Sequence, residues 1–209
     1  MMDDTGLFEL GFADPNKDDK IFQKLKENFN TSRTLVFNDD VSDDLVESYV
    51  CPIIQWNRED EDIPVEKRKP IKILINSGGG DVFSANALIG AILTSKTPVY
   101  TVGFGMVASA AYMIYVAGHV RYAFPYTSFL QHDGETQIAN SSGKAKDTMD
   151  FMNRMAEETK QLILSRTTMS EEDYDKNYEK EWWFTSTQAR SMGIIDKIIG
   201  TDCDISEIL

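Results

Sequence analysis

From Pro70 onward, short β-branched runs alternate with longer apolar stretches. Lys72–Asn76 (KILIN) predicts a strand, Ser77–Gly80 (SGGG) a turn, and Asp81–Thr94 an apolar helix. Pro98–Gly103 predicts a second strand and Ala108–Ala117 a second buried helix. Two β-turn-α units in succession imply an α/β fold with a mostly parallel sheet. Upstream, residues 1–20 are polar and rich in Asp, Gly and Pro, as in an arm or loop. Ile21–Phe29 alternates in a helical manner, Arg33–Phe37 predicts a strand, and Ser42 can cap a helix reaching Trp56. The charged segment 57–70 predicts a surface loop. Downstream, Val120–Phe124 and Ser128–Gln131 predict short strands about a turn at Pro125 and Tyr126. Ser142–Arg166 predicts a long helix with Met149, Met152 and Met155 on one side, and Ser170–Tyr178 a smaller one. Thr185–Met192 predicts a capped helix, ended by Gly193 before a strand over Ile194–Ile199.

Composition narrows the setting. The 209 residues suit a single domain. Hydrophobic residues at 42% and charged residues at 26% are the balance of a soluble globular chain rather than a disordered one. A formal charge of −13 repels a phosphate backbone, so nucleic acid is not the expected partner. Two distant cysteines, Cys51 and Cys203, and two histidines assemble no convincing zinc site and fit a reducing compartment. The N-terminus has no basic, apolar pattern of a secretory signal, and no apolar stretch nears the roughly 20 residues of a membrane span. The expectation is a soluble cytoplasmic protein without membrane partners.

Candidate chemistry is sparse. His119 follows Gly118 at the expected end of a helix, where interaction with the helix C-terminus explains it. His132 ends an apolar strand and opens into Asp133-Gly134, a position where α/β folds carry working groups; a surface role is an equal alternative. Ser109 lies between a strand and an all-apolar helix. It is either a helix cap or a nucleophile aimed at orphan backbone N–H groups that stabilise an oxyanion. The triple glycine Gly78–Gly80 turns the backbone sharply and can present N–H groups, but it lacks the lysine and spacing of a P-loop.

Taken in order, the motifs resemble the Clp protease proteolytic subunit (ClpP) family, of crotonase-like fold, over about residues 33–200. The carriers are Lys72–Asn76 followed by Ser77–Gly80, then Val107-Ala108-Ser109-Ala110 and a helix ending Ala117-Gly118. Arg121-Tyr122, Pro125-Tyr126 and His132-Asp133-Gly134 continue the pattern, which closes with Trp183–Ser186, Ala189 and Gly193–Asp196.

The resemblance implies a serine endopeptidase working through an acyl-enzyme. Ser109 would be the nucleophile, His132 the general base, and the Gly79 and Ala110 N–H groups the oxyanion hole. Twelve residues before Gly193 stands Glu181, where the family has aspartate; it would be the orienting acid, with Asp175 and Glu179 as weaker substitutes. Also implied are residues 1–32 as arm and first helix, 33–133 with 167–200 as an α/β head, 134–166 as a protruding helical handle, and 201–209 as a tail. Polypeptide substrates, stacked heptameric homo-oligomeric rings and a partner AAA+ unfoldase follow, with no cofactor beyond that partner's ATP. Gly78 in place of proline, Tyr112 in place of a small residue and a short turn at Gly118–Arg121 depart from the family and point to a divergent branch, for example a viral one in a host cytoplasm. Other readings of the same chemistry are a silent subunit of a mixed ring, a crotonase-type acyl-CoA enzyme, or a dedicated head-maturation protease.

Overall fold

The computed structural model describes residue 29 and residues 31–135 and 138–209. The arm and first helix expected over 1–29 lie outside the described residues, except Phe29. Strand β1 (Thr34–Phe37) leads to a π-helical turn over Val46–Val50 that runs into helix α1 (Cys51–Glu59). β2 (Ile71–Ser77), α2 (Val82–Thr94), β3 (Val99–Ala108) and α3 (Ala110–Ala117) form the expected pair of β-turn-α units. β4 (Val120–Ala123), β5 (Ser128–Gln131), the long α4 (Ser142–Arg166), α5 (Glu171–Asn177), β6 (Trp182–Thr185), α6 (Ser186–Ser191) and β7 (Lys197–Ile198) complete the order.

The sheet runs β1-β2-β3-β4-β7, and every pairing along it is parallel. A parallel sheet is covered on both faces, so its strands need not alternate. β2 shows this, with Ile71, Ile73 and Ile75 wholly buried and Lys72 buried between them. The main core lies between these strands and α2 and α3, around Leu88, Ile92, Ile114 and Tyr115. A smaller cluster of Val102, Tyr122, Ile199 and Ile208 covers the other face.

Besides β2, β3 has two partners. Tyr100–Gly103 pairs with β4, whereas Met106–Ala108 pairs with β5, and the register against β2 shifts between Ile75 and Ser77. Gly105, at φ +67°, lies in this changeover. A Cβ there would meet Asn76 Oδ1 at 2.5 Å. Asn76 fastens the bulge, since its Oδ1 accepts the Met106 N–H at 2.9 Å and its Nδ2 donates to Asn38 Oδ1 at 2.6 Å. The strand therefore runs on to Ala108, five residues past its expected end at Gly103.

Other departures have local causes. Ser42 does not cap the following helix through its side chain: its carbonyl accepts the Leu45 N–H at 3.2 Å, and the first turn is wound wide. α1 reaches Glu59, within the segment expected to be loop. Trp182–Thr185 is an unexpected strand, antiparallel to β5. The strand expected over Ile194–Ile199 shrinks to two residues, because the Ile194 and Ile195 N–H groups return to the Ala189 carbonyl. Elsewhere side-chain caps form: Asp81 accepts the Ser84 N–H at 2.7 Å, and the capped helix expected from Thr185 has a capping box of Thr185 with Gln188.

Two buried charged groups tie the periphery to the sheet. Arg33 donates to both oxygens of buried Asp60 at 2.6 and 2.9 Å, and Thr97 adds a third bond at 2.8 Å; this holds the Asp60 carboxyl below the usual range. Arg121 forks onto Asp196 at 2.7 and 3.0 Å and donates to the Arg166 carbonyl, which closes β4, the approach to β7 and the end of α4 on one side chain.

His119 has a different role from the one expected. Its Nδ1 accepts the Val99 N–H at 2.8 Å, which requires a neutral ring. Burial, with the nearby Arg166 cation, pushes its pKa below the ordinary 6.5, so it does not act as a cation at a helix C-terminus. A base with a lowered folded pKa contributes stability in full above 6.5 and loses it as pH falls through the folded value. We expect urea midpoints to drop between pH 8 and pH 5.5 more steeply for the wild type than for His119→Gln; parallel slopes would refute the assignment.

Candidate active site

Ser109 joins β3 to α3 with φ +54° and ψ −125°, a left-handed-side conformation that is rare for a residue bearing a Cβ. Such backbone costs about 1–3 kcal/mol and persists only where the surroundings fix it. Here the Ser109 N–H donates to the Leu130 carbonyl at 2.9 Å, and its carbonyl accepts the Tyr112 N–H at 3.0 Å. Although Ser109 occupies the N-cap position of α3, its side chain makes no capping bond. The hydroxyl instead meets His132 Nε2 at 2.7 Å. Of the two alternatives left by the sequence, the side-chain cap is not made in this backbone conformation.

His132 reaches Ser109 because β5 pairs with the far half of β3 and ends one residue earlier, at Gln131. The Gly79 turn approaches from β2. A Cβ on Gly79, whose φ is +102°, would come within 2.7 Å of Ser109 Cβ, 2.9 Å of the Ala108 carbonyl oxygen and 3.1 Å of the Ala110 nitrogen. Only glycine fits so close to the serine turn. The Gly79 and Ala110 backbones thus lie against the serine on one side, although the Gly79 N–H is turned toward Ser77 Oγ at 3.2 Å. Gly80 performs a different task, bridging to Val41.

The expected acid is not joined to the histidine. Extending the antiparallel register by which Gln131 faces Trp182 brings Glu181 opposite His132. Its carboxylate nevertheless accepts the Trp183 indole N–H at 3.2 Å on an exposed edge. Of the substitutes, Asp175 is paired with Lys160 at 2.7 Å and Glu179 is exposed. Among the described residues no carboxylate hydrogen-bonds to His132.

Ser109 and His132 open into a cavity of about 380 Å³, roofed by α4 through Met149, Met152 and Met155. Its size is that of a site for a small ligand or a few side chains. Tyr174 and Tyr178 of the α5 region close the far side, and burial raises both phenol pKa values. The roof and the fastening by Asn76 were not legible as site features. A Met stripe has the same spacing whether it meets a neighbour or its own core, and Asn76 acts through a bulge with no local sequence signature.

Comparison with known proteins agrees with this fold. A family model described as Clp protease matches residues 17–202. The chain belongs to the Clp protease family. Curated relatives include the ATP-dependent Clp protease proteolytic subunit 2 of Treponema denticola, 28% identical over 194 residues that cover 92% of each chain. The protein of the same name from Treponema pallidum is 30% identical over 190 residues, 88% of each chain. Among solved structures, a ClpP1 mutant from Listeria monocytogenes superposes with a TM-score of 0.71 at 26% identity, covering 90% of this chain and 99% of that one. The family's crotonase-like α/β architecture, with its mostly parallel sheet, is the one described above. Among the described residues no helix is long and apolar enough to cross a membrane.

The contact of Gly79 with the serine turn gives a direct test. Gly79→Ala forces a Cβ into Ser109 at a left-handed φ and should cost roughly 1–3 kcal/mol of stability. Gly78→Ala, whose Cβ would meet only Met106 Cε at 3.5 Å, should cost less than about 1 kcal/mol. Urea denaturation of the two variants compares them, and equal losses would refute the account.

Proposed function

We propose that this chain is a serine endopeptidase that cleaves polypeptides through an acyl-enzyme. The observation that carries the proposal is the 2.7 Å contact of His132 Nε2 with Ser109 Oγ, made from a serine whose backbone is held in a left-handed conformation. His132 Nε2 accepts the hydroxyl proton as Oγ bonds to the scissile carbonyl carbon. The oxyanion takes hydrogen bonds from the backbone N–H groups of Gly79 and Ala110, for which Gly79 must release Ser77 Oγ. Collapse breaks the C–N bond while His132 returns the proton to the leaving amine. Water, deprotonated by the same nitrogen, then hydrolyses the ester. Each step uses side chains and backbone alone, so the reaction as proposed takes no cofactor.

Glu181 is proposed as the acid that orients His132. Its support is the strand register, and rotation away from the Trp183 indole would free its carboxylate for the imidazole. By analogy with its family the chain is further proposed to stack into heptameric rings in the cytoplasm, fed by an AAA+ unfoldase whose ATP use is separate from peptide hydrolysis. No observation favours the acyl-CoA or silent-subunit alternatives.

Ser109→Ala should abolish both fluorophosphonate labelling and peptide cleavage, and persistence of either would overturn the nucleophile. Glu181→Ala should lower kcat/KM for a peptide by about 100-fold or more if the carboxylate orients His132; turnover within twofold of wild type would remove Glu181 from the mechanism. In sedimentation, a mass near the 23.6 kDa of one chain would reject the ring.

A further inference from the structure

Two large aromatic side chains beside the Ser109 cavity are turned onto each other rather than into the core. Phe83, in the first turn of α2, and Phe151 of α4 are 57% and 44% exposed, yet their rings stack at 6.4 Å between centroids with 6° between planes. The Arg154 guanidinium lies 5.8 Å from the Phe151 centroid. Stacking with a cation alongside holds two rings together without burying them. Their chain neighbours Val82 and Met152 both line the cavity.

The rings stand on different supports. Phe83 is on the fixed side. Asp81 accepts both the Ser84 N–H and the Ser84 hydroxyl at 2.7 Å, and its own N–H donates to the Val41 carbonyl at 2.8 Å. This turn continues directly from Gly79, whose backbone lies against Ser109. Phe151 is on the roof. Met152 follows it, and Met155 lies one turn further along the same flank of the helix.

Helix α4 is secured mainly at its far end. Lys160 pairs with Glu171 and Asp175 at 2.8 and 2.7 Å, Ile163 is buried, and the Arg166 carbonyl accepts from Arg121. Among the described residues, no hydrogen bond or ion pair joins 142–159 to another element. Over that stretch the roof is held by apolar contacts, and the Phe83–Phe151 stack is the one between aromatic rings. A helix pinned at one end sits above a cavity at a height set by whatever holds its middle down. A stack of half-exposed rings is a weak fastening compared with a buried core, so this height depends on it closely.

We propose that Phe83 and Phe151 are positioning residues that clasp the α4 roof to the serine turn and so set how large a molecule reaches Ser109. The proposal rests on the peptidase reading above and adds a control of access to the same site. The rings act through the cavity lining, by way of Val82, Met152 and Met155.

The test measures the rate of Ser109 labelling in the full-length protein by two fluorophosphonates with the same leaving group, one small and one bearing a bulky aromatic substituent. The wild type should label faster with the small reagent. Phe83→Ala and Phe151→Ala should each leave the small reagent's rate within about twofold and raise the bulky reagent's rate about two- to tenfold, the range set by loss of one aromatic pair. Because both substitutions remove one contact, the double variant should match either single one. Phe151→Tyr keeps the ring and should keep the wild-type ratio. Ile54→Ala removes an apolar side chain of α1 that is 56% exposed and should leave the ratio unchanged. A wild type that labels equally fast with both reagents, a ratio unmoved by the alanine variants or moved as much by Ile54→Ala, or single effects that multiply in the double variant would overturn the clasp while leaving the peptidase reading intact. Loss of small-reagent labelling in both alanine variants would show the rings to be needed for folding instead, and would also overturn it. Failure of the wild type to label with either reagent would overturn the peptidase reading, and the control of access with it.

Discussion

A backbone held on the left-handed side at a residue with a Cβ survives only if its neighbours leave it no alternative, and Ser109 is held in this way. The Leu130 carbonyl fixes its N–H, α3 fixes its carbonyl, and the Gly79 backbone fills the space beside its Cβ. The consequence is directional. A serine in ordinary N-cap geometry would turn its oxygen back onto the helix N–H groups. This one turns it to His132 and leaves the start of α3 open. Much of the surrounding structure serves that one dihedral angle: the glycine turn after β2, the bulge that Asn76 fastens, and the extension of β3 to Ala108.

The split pairing of β3 explains why the Ser109 and His132 side chains come from distant segments yet meet at 2.7 Å. Its first half belongs to the parallel sheet and is locked by the buried isoleucines of β2. Its second half recruits β5, so the strand that carries His132 is registered against the strand that carries Ser109. Both groups ride on the rigid core. The edge beyond them is built otherwise: β6 is four residues long, pairs with β5 alone among the described residues, and presents Trp183, with Glu181 just before the strand, to solvent. Ser109 and His132 are therefore strongly positioned and Glu181 weakly so, an asymmetry that follows from depth in the sheet.

Helix α4 adds a third element. Twenty-five residues long, it has buried residues only in its second half, at Met155 and Ile163. That half packs beside α3, the middle of the helix roofs the cavity from Met149 to Met155, and the first half is otherwise largely exposed. The helix thus links the wall of the site to a surface of its own, and movement of its exposed half would be felt at Met152 and Met155, above Ser109.

Sequence alone determined the elements that depend on local chemistry. The β-branched runs around Ile73 and Val102, the apolar helices over Val82–Thr94 and Ala110–Ala117, and the capped helix from Thr185 are all legible, because propensity and capping act within a few residues. The order of motifs also singled out Ser109 and His132. Tertiary structure decided what depended on contacts across the chain. The continuation of β3 past Gly103 required Asn76 from another strand; β6 existed only because β5 lay beside it; and the neutral ring of His119 followed from a Val99 N–H twenty residues away. The same holds at the site. Whether Ser109 caps a helix or faces a histidine is a matter of one backbone angle, and that angle is set by Leu130 and Gly79, which no local pattern around Ser109 contains.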